Sequence, residues 1–374
     1  MRRRTLREKA ARQLQAAAAR LDGTRRPDRD PQLEADRSGT YPAPYPTGWY
    51  VLARAQDVRR APRYVRALGE HFVLFRTATG RIGVLDAHCP HLGANLAGGE
   101  VKGECIECPF HGWTFATDGR VVGIPYAQRV PPSLATRAWA VDERAGLVCV
   151  YYDADQLDGR GRPEPPYALP RHDVVERGEM VLRGDHDAGI VRMHVAEFAE
   201  NSADMAHFPV LHGDMFLPWS GFKVPGLRLH HRARWSRDPD ADHTTWFHDE
   251  VEIEVLGRRI PRTRGRADIC MAGPGGVITF DFAIPDVGRV LMYQTHTPVT
   301  PVAQQVRFRW FAERRVPRIL VWYVVGNWIS QWREDIAIWE HKVHRRRPML
   351  VPGDGPILAM RRWYARFYPD GGAR

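Results

Sequence analysis

Cys89-Pro90-His91-Leu92-Gly93, followed by Cys108-Pro109-Phe110-His111-Gly112-Trp113, is the stretch on which the reading of this chain turns. The pattern is Cys-x-His, sixteen intervening residues, then Cys-x2-His. Two thiolates and two imidazoles are the ligand set of a [2Fe–2S] cluster in which Cys holds one iron and His the other. Each Cys–His pair would occupy its own loop, and the two loops would clasp the cluster. The interleaved Pro and Gly suit tight turns that aim backbone N–H groups at sulfur. Zinc could use the same four side chains, but zinc fingers place a Cys pair first and a His pair later. Here each Cys is partnered by a His, twice over, with Pro after both Cys residues. The cluster is therefore expected at Cys89, His91, Cys108 and His111. His88 and Cys105 lie close by but outside the spacing and are read as non-ligands.

Outward from these loops, Trp49 to about Asp153 reads as short strands. Phe72-Val73-Leu74-Phe75 and Ile82-Gly83-Val84-Leu85 flank Thr77 to Gly80, a hairpin signal. Trp113-Thr114-Phe115 and Val121-Val122 flank Asp118-Gly119, a second one. Gly146 to Tyr152 reads as the buried strand that closes the unit. Residues 41–155 are thus expected to form an all-β Rieske [2Fe–2S] domain. Before it, residues 1–40 are expected to form a basic tail. Its first 37 residues, rich in Arg and Ala with sparse Leu6, Leu14 and Leu21, read as a short solvated helix or a partly disordered segment. Residues 154–180 are Pro- and Gly-rich and read as a linker or covering excursion.

Residues 156–374 are expected to form a second domain. Runs at 244–255, 276–284, 289–296 and 305–313 are separated by turn residues and predict an antiparallel sheet. Residues 317–344 are helical in pattern. The class is α+β.

Within the second domain, Glu200-Asn201-Ser202-Ala203-Asp204-Met205-Ala206-His207-Phe208-Pro209-Val210-Leu211-His212 holds one carboxylate and two imidazoles within nine residues, from Asp204 to His212. Asp204 and His207 share a face if they are helical. Pro209 disfavours helical geometry at Phe208, so a helix carrying the motif is expected to kink or end there. A turn after His207 could return His212 to the same point. Two imidazoles joined by a carboxylate from elsewhere make a 2-His-1-carboxylate iron site. The competing reading is a buried His and a surface His around a helix end.

Over 374 residues the chain is 44% hydrophobic and 26% charged, with a formal net charge of +10, and is long enough for two or three domains with cores. No nucleic-acid module accompanies the charge, so solubility, a peripheral membrane contact or an acidic redox partner accounts for it better than nucleic acid. Five cysteines argue against a disulfide scaffold. No apolar run spans a bilayer and no apolar h-region follows the basic N-terminus. A reducing, cytoplasmic setting is expected.

With both motifs in view, the chain from Tyr41 onward resembles the oxygenase component of Rieske non-haem iron oxygenases. The resemblance implies a Rieske domain followed by a catalytic domain with an antiparallel sheet and a helix-lined pocket, of the helix-grip or START-like kind. The family motif of Asn, then Asp-x2-His-x4-His, maps onto Asn201, Asp204, His207 and His212. It implies mononuclear Fe(II) at His207 and His212, and Asp204 bridging to a cluster-ligating His of a neighbouring subunit. That relay implies a ring-shaped oligomer, typically a homotrimer. Several stretches resemble the cholesterol 7-desaturase and 3-ketosteroid 9α-hydroxylase branch: Tyr45 to Tyr50, Ala206 to His212, Gln294-Thr295-His296-Thr297-Pro298-Val299, and Gly353 to Ile357 leading to Arg362–Tyr368. Animal desaturases of that branch carry a membrane-spanning N-terminus, and no such segment reads here.

Periodicity adds a third ligand once the two His are placed. The apolar stripe of residues 327–344 runs Trp328, Trp332, Ile336, Trp339, and Asp335 lies in it while Glu334 points away. A carboxylate on a buried face is costly unless paired or metal-bound. Asp335 is the expected ligand; pairing with a buried Arg or indole N–H is the alternative.

A facial triad leaves open positions for O2. No flavin or nicotinamide fingerprint is present, so electrons are expected from a separate ferredoxin or NAD(P)H-dependent reductase. The expected function is O2-dependent desaturation or hydroxylation of a sterol-like small molecule. A Rieske oxygenase of an aromatic substrate, and a Rieske electron carrier fused to a lipid-binding domain, are the other readings.

Overall fold

The computed structural model describes residues 36–59, 61–154 and 164–369. The helix or tail expected before Asp36 lies outside these residues.

The N-terminal half is built from hairpins. β1 (Gly48–Arg54) pairs antiparallel with a later strand, and β2 (Arg63–Ala67), β3 (Glu70–Arg76) and β4 (Ile82–Asp86) form a three-stranded sheet. The short strands β5 (Glu100–Lys102), β6 (Cys105–Glu107), β7 (Thr114–Ala116) and β8 (Val121–Gly123) form a four-stranded meander. β9 (Ala140–Arg144) and the wholly buried β10 (Leu147–Tyr152) complete the sheet begun by β1. Both expected hairpins are present, as β3–β4 and β7–β8. One Cys–His loop follows β4, and the other is the β6–β7 turn.

The second half is an antiparallel sheet of eight strands. They are β11 (Met180–Val191), β12 (Asp214–Phe216), β13 (Lys223–Arg237), β14 (Thr244–Val255), β15 (Arg258–Ala272), β16 (Val277–Ile284), β17 (Gly288–Thr300) and β18 (Ala303–Glu313). Their spatial order is β11-β18-β17-β16-β15-β14-β13-β12. One face receives the long helix Arg318–Trp339. Phe247, Met271, Phe280, Met292 and Phe308 of the sheet form one buried core with Val321, Val325, Ile329, Trp332 and Trp339 of the helix. Each such side chain contributes about 1.5–3 kcal/mol of burial. The other face packs on the N-terminal half through Trp49, Val51, Tyr151, Val277, Leu291, Tyr293 and Phe311. At that junction Gly276 is required, because a Cβ there would collide with the Trp49 carbonyl.

Two corrections concern local structure. The helix carrying the His motif spans Ala196–Ala203 and stops before Asp204, not at Phe208. Asp204 is extended (φ −86°, ψ 107°), and its carboxylate accepts from the amides of Ala206 (3.0 Å) and His207 (3.3 Å), so a side-chain turn replaces the next helical turn. Pro209 instead lies in the first turn of a new short helix, Phe208–Leu211, where its missing N–H costs nothing. The second correction concerns residues 36–40, which are not a free tail. Arg37 is 2% exposed and donates to the carbonyls of Trp339 (2.5 Å) and Lys342 (3.0 Å), the first of them the last residue of the long helix.

Candidate metal centres

The two Cys–His loops are built alike. The Cys89 amide donates to the Ala94 carbonyl and the Cys108 amide to that of Trp113, both at 2.8 Å. Gly93 and Gly112, with φ of 77° and 70°, donate back to the Cys89 and Cys108 carbonyls at 2.9 and 3.1 Å. Only glycine takes that backbone without strain. Both thiols are buried, and the His91 and His111 rings stand 4.7 Å apart. Burial pushes the Cys89 thiol up to about 11, with Cys108 adding to the rise and the amides of His91 and Leu92 opposing it. A bound cation reverses that balance by deprotonating the thiol. His91 Nδ1 is buried without a partner. Two thiols and two imidazoles converging from twin loops, one ring nitrogen unsatisfied, fit a [2Fe–2S] group. Trp113 stacks on His91 (4.7 Å, 7° between planes) and donates to the Tyr126 hydroxyl. Leu92, Phe110 and Tyr126 around the loop tips are more than half exposed. His88 packs against His71, and Cys105 is engaged in the β6–β7 pairing, so neither joins the four.

The second constellation lies against the sheet's helix-covered face. His207 and His212 flank the short helix Phe208–Leu211 at either end. One turn of separation returns their rings to within 5.1 Å at 83°. Asp335, from the buried face of the long helix, approaches His212 Nε2 at 3.3 Å. One ligand atom from each of His207, His212 and Asp335 can be chosen so that all lie within 4.8 Å of one another. His207 Nδ1, His212 Nδ1 and Asp335 Oδ1 are buried with no partner. Buried polar atoms are rarely left unsatisfied, and two imidazoles and a carboxylate that converge while each keeps one such atom fit a facial-triad metal. Glu334, the neighbouring carboxylate, points off the core and pairs with Lys223 at 3.2 Å.

Asn201 Nδ2 stands 3.3 Å from His207 Nε2. Asp204 Oδ1 is 3.8 Å from His207 Nδ1, and the Asp204 side chain is 35% exposed. Burial works to raise the Asp204 carboxyl, but His207 and the amides of His207 and Ala206 outweigh it and hold the group below its ordinary value. It is thus an exposed-edge carboxylate in contact with a buried imidazole.

Two supports were not legible from residue patterns. His231 on β13 bridges the Asp249 carboxylate (2.7 Å) and the His212 carbonyl (3.2 Å), fixing the loop behind that ring. His231 and Asp249 are diagonal neighbours across β13 and β14, a relation visible only once the register is known. The motif helix itself is clamped by charge. Lys342 Nζ meets Glu197 Oε2 at 2.7 Å and Glu200 Oε1 at 3.0 Å, Arg361 grips the other Glu200 oxygen, and the Tyr41 hydroxyl donates to Glu197.

These two centres in this order, a cluster-type loop pair on a small β domain and a buried His-His-Asp set on an antiparallel sheet, define the Rieske non-haem iron oxygenase class. Residues 48–135 match the Rieske [2Fe-2S] domain family, and residues 157–368 match the 3-ketosteroid 9alpha-hydroxylase C-terminal domain family. The cholesterol 7-desaturase of Hemicentrotus pulcherrimus is 34% identical over 363 residues, covering 94% of this chain and 76% of that protein. The oxygenase component of the Rhodococcus rhodochrous 3-ketosteroid-9-alpha-monooxygenase is 29% identical over 342 residues, covering 89% and 86%. The crystal structure of dicamba monooxygenase bound to dicamba shares the fold, with a TM-score of 0.62 at 18% identity over 85% of this chain and 96% of that one. The chain belongs to the Rieske oxygenase family that contains the cholesterol 7-desaturases and the 3-ketosteroid 9α-hydroxylase oxygenase components. It is an enzyme of the O2-using oxidoreductases, and its family works with a Rieske cluster and a mononuclear iron. As an oxygenase component it requires a ferredoxin or reductase partner. Among the described residues no helix is long and apolar enough to cross a membrane.

Proposed function

We propose that this chain oxidises a sterol or steroid, with Cys89, His91, Cys108 and His111 holding the [2Fe–2S] cluster and His207, His212 and Asp335 holding Fe(II). When bound, the two groups together supply electrons and activate O2 beside a substrate C–H bond. The observation that carries the assignment is the convergence of His207, His212 and Asp335, with one ligand atom of each within 4.8 Å of the others, beside the largely apolar core between helix and sheet. The apolar wall suits a ring hydrocarbon, and relatives are named for cholesterol and for a 3-ketosteroid.

Asn201 holds the His207 ring. Asp204 faces outward and carries a hydrogen bond to a cluster-ligating His of a neighbouring subunit in a homotrimer. Exposed apolar side chains at both ends support that docking: Leu92, Phe110 and Tyr126 at the loop tips, and Val210, Leu217 and Phe222 beside the His motif. Residues 41–155 contain the cluster-bearing half and 156–374 the body of the iron-bearing half, onto which the first residues of the 41–155 stretch are fastened. Exposed Arg345, Arg346 and Arg347 beside exposed Met349 and Val351 suit a peripheral contact with an anionic membrane. Five free thiols suit a reducing cytoplasm.

The test is turnover of iron-loaded protein under O2 with a surrogate ferredoxin and reductase. Cholesterol and a 3-ketosteroid are offered separately, and products are read by mass. Loss of two hydrogens assigns a desaturase, and gain of one oxygen a hydroxylase. Reoxidation of the reduced cluster by O2 with neither steroid changed would overturn the steroid assignment.

A further inference from the structure

Gln294 and His296 on β17 are both 0% exposed and belong to neither metal constellation. Their hydrogen bonds fix where one proton sits. Trp328 Nε1 donates to Gln294 Oε1 at 3.3 Å. An indole N–H can only donate, so the amide oxygen faces the indole and the amide nitrogen faces the other way. That nitrogen stands 2.9 Å from His296 Nε2. Amide nitrogen also only donates, so His296 Nε2 is the acceptor and the ring proton resides on Nδ1. Burial supports the neutral ring, drawing the His296 pKa down to about 3. Yet Nδ1 is buried and has no partner. Trp332, whose ring centroid lies 6.5 Å from that of His296, also carries a buried, partnerless N–H.

The place of this donor is telling. Trp332 precedes Asp335 by one helical turn and Trp328 by two, about 4.5 and 10 Å along the helix axis. Phe198, whose ring centroid lies 5.0 Å from that of His296, precedes Asn201 by one turn of the motif helix. The orphaned N–H therefore lies in the same layer as the triad, displaced along the long helix, on a ring flanked by Phe198 and Trp332 within a core that also holds Phe280 and Trp328. Native folds seldom strand such a donor among aromatic rings unless something completes it.

We propose that His296 Nδ1–H, set by the Trp328–Gln294 relay, anchors the oxygen of an otherwise apolar substrate, a hydroxyl or carbonyl at one end of a fused-ring skeleton. The proposal rests on the steroid reading above and adds what recognises the polar end. The aromatic walls grip any ring system, whereas one directional donor fixes which way round it lies and hence which C–H bond faces the triad.

The test is equilibrium binding to the iron-loaded protein of matched pairs: cholesterol against the hydrocarbon lacking its hydroxyl, and a 3-ketosteroid against its deoxo counterpart. Wild type is expected to prefer an oxygenated member by about fivefold or more. His296→Phe should erase the preference by weakening the oxygenated ligand alone, leaving the deoxy ligand unchanged. Gln294→Leu releases the tautomer without removing the ring and should reduce the preference, which keeps the test alive if His296→Phe does not fold. A preference that survives both substitutions overturns the proposal, as does a wild type that binds both members equally, the result expected if water completes Nδ1. In those cases the steroid reading stands. If neither member of either pair binds, the steroid reading fails and the anchor with it.

Discussion

Lys342→Met isolates the clamp that holds the motif helix. The substitution keeps the apolar stem and deletes the ammonium lying between Glu197 and Glu200, whose side chains are 1% and 13% exposed. Removing one partner of a buried ion pair costs about 3–5 kcal/mol, because the other charge stays buried. Three features place this case below that range. The Tyr41 hydroxyl still donates to Glu197, Arg361 still grips Glu200, and the Lys342 side chain is itself one-third exposed and partly screened. A loss of about 2–3 kcal/mol is expected. The helix belongs to the domain at residues 157–368. With roughly 200 residues at ~2.1 cal/mol/K each, the unfolding entropy is ~0.4 kcal/mol/K, so the midpoint should fall by about 5–7 °C. Thermal unfolding followed by circular dichroism at pH 7 measures it. The double variant Glu197→Gln/Lys342→Met replaces the pair instead of breaking it and should regain at least half of the loss. A single variant melting within about 1 °C of wild type, or a double variant melting below the single one, would refute the clamp.

Asp204→Ala should retain cluster absorbance and mononuclear iron yet lose steady-state turnover; full activity would remove the inter-subunit relay. Asp335→Ala should lower iron content to that of the cluster alone, with the visible cluster spectrum intact, as read by metal analysis alongside absorbance. The pH dependence of stability has a definite sign at Glu200. Burial works to raise its carboxyl, but Arg361 and Lys342 outweigh that and hold it below the ordinary 4.5. A depressed folded value means the contribution is fully present above the unfolded value and lost as pH falls from about 4.5 through the folded value. Wild type should therefore lose its melting-temperature advantage over Glu200→Gln on acidification, and a difference constant from pH 6 to pH 3 would contradict this. His231→Leu should loosen the His212 loop, so that Fe(II) is lost to a chelator about tenfold or more faster while the cluster is unaffected.

Much of the candidate site is legible in the sequence because its chemistry is local. Cys89, His91, Cys108 and His111 sit on two short loops, so spacing alone carries their geometry. Asp335 shows itself through helical periodicity, since a carboxylate on an apolar stripe needs a reason. The end of the motif helix was harder. Pro209 is a conspicuous helix breaker, yet the chain leaves the helix at Asp204, whose side chain competes for amides two and three residues on. β13 and β15 carry no clear strand signal because their 15-residue lengths extend past the core, where Pro225-Gly226 in one and Arg258-Arg259 and Pro261-Arg262 in the other break the alternation. The His231–Asp249 pair and the Trp328–Gln294–His296 relay depend on strand register and on helix placement against the sheet. Neither is encoded within a single window of residues.

Arg37 and Tyr41 come before the cluster-bearing half in the chain, yet their hydrogen bonds end on Trp339, Lys342 and Glu197 of the other half. The Thr47 amide likewise donates to the Phe367 carbonyl. Topologically, then, the iron-bearing half is discontinuous, and the cluster-bearing half is an insert between its first strip and the remainder. A chimera that exchanges cluster domains among relatives with a single crossover near residue 155 would carry a foreign strip into the pocket side of the molecule. Two crossovers are needed, the first between Ala43, which packs on the iron-side core, and Tyr45, which packs on the cluster-side core, so that residues 36–43 travel with the half they fasten.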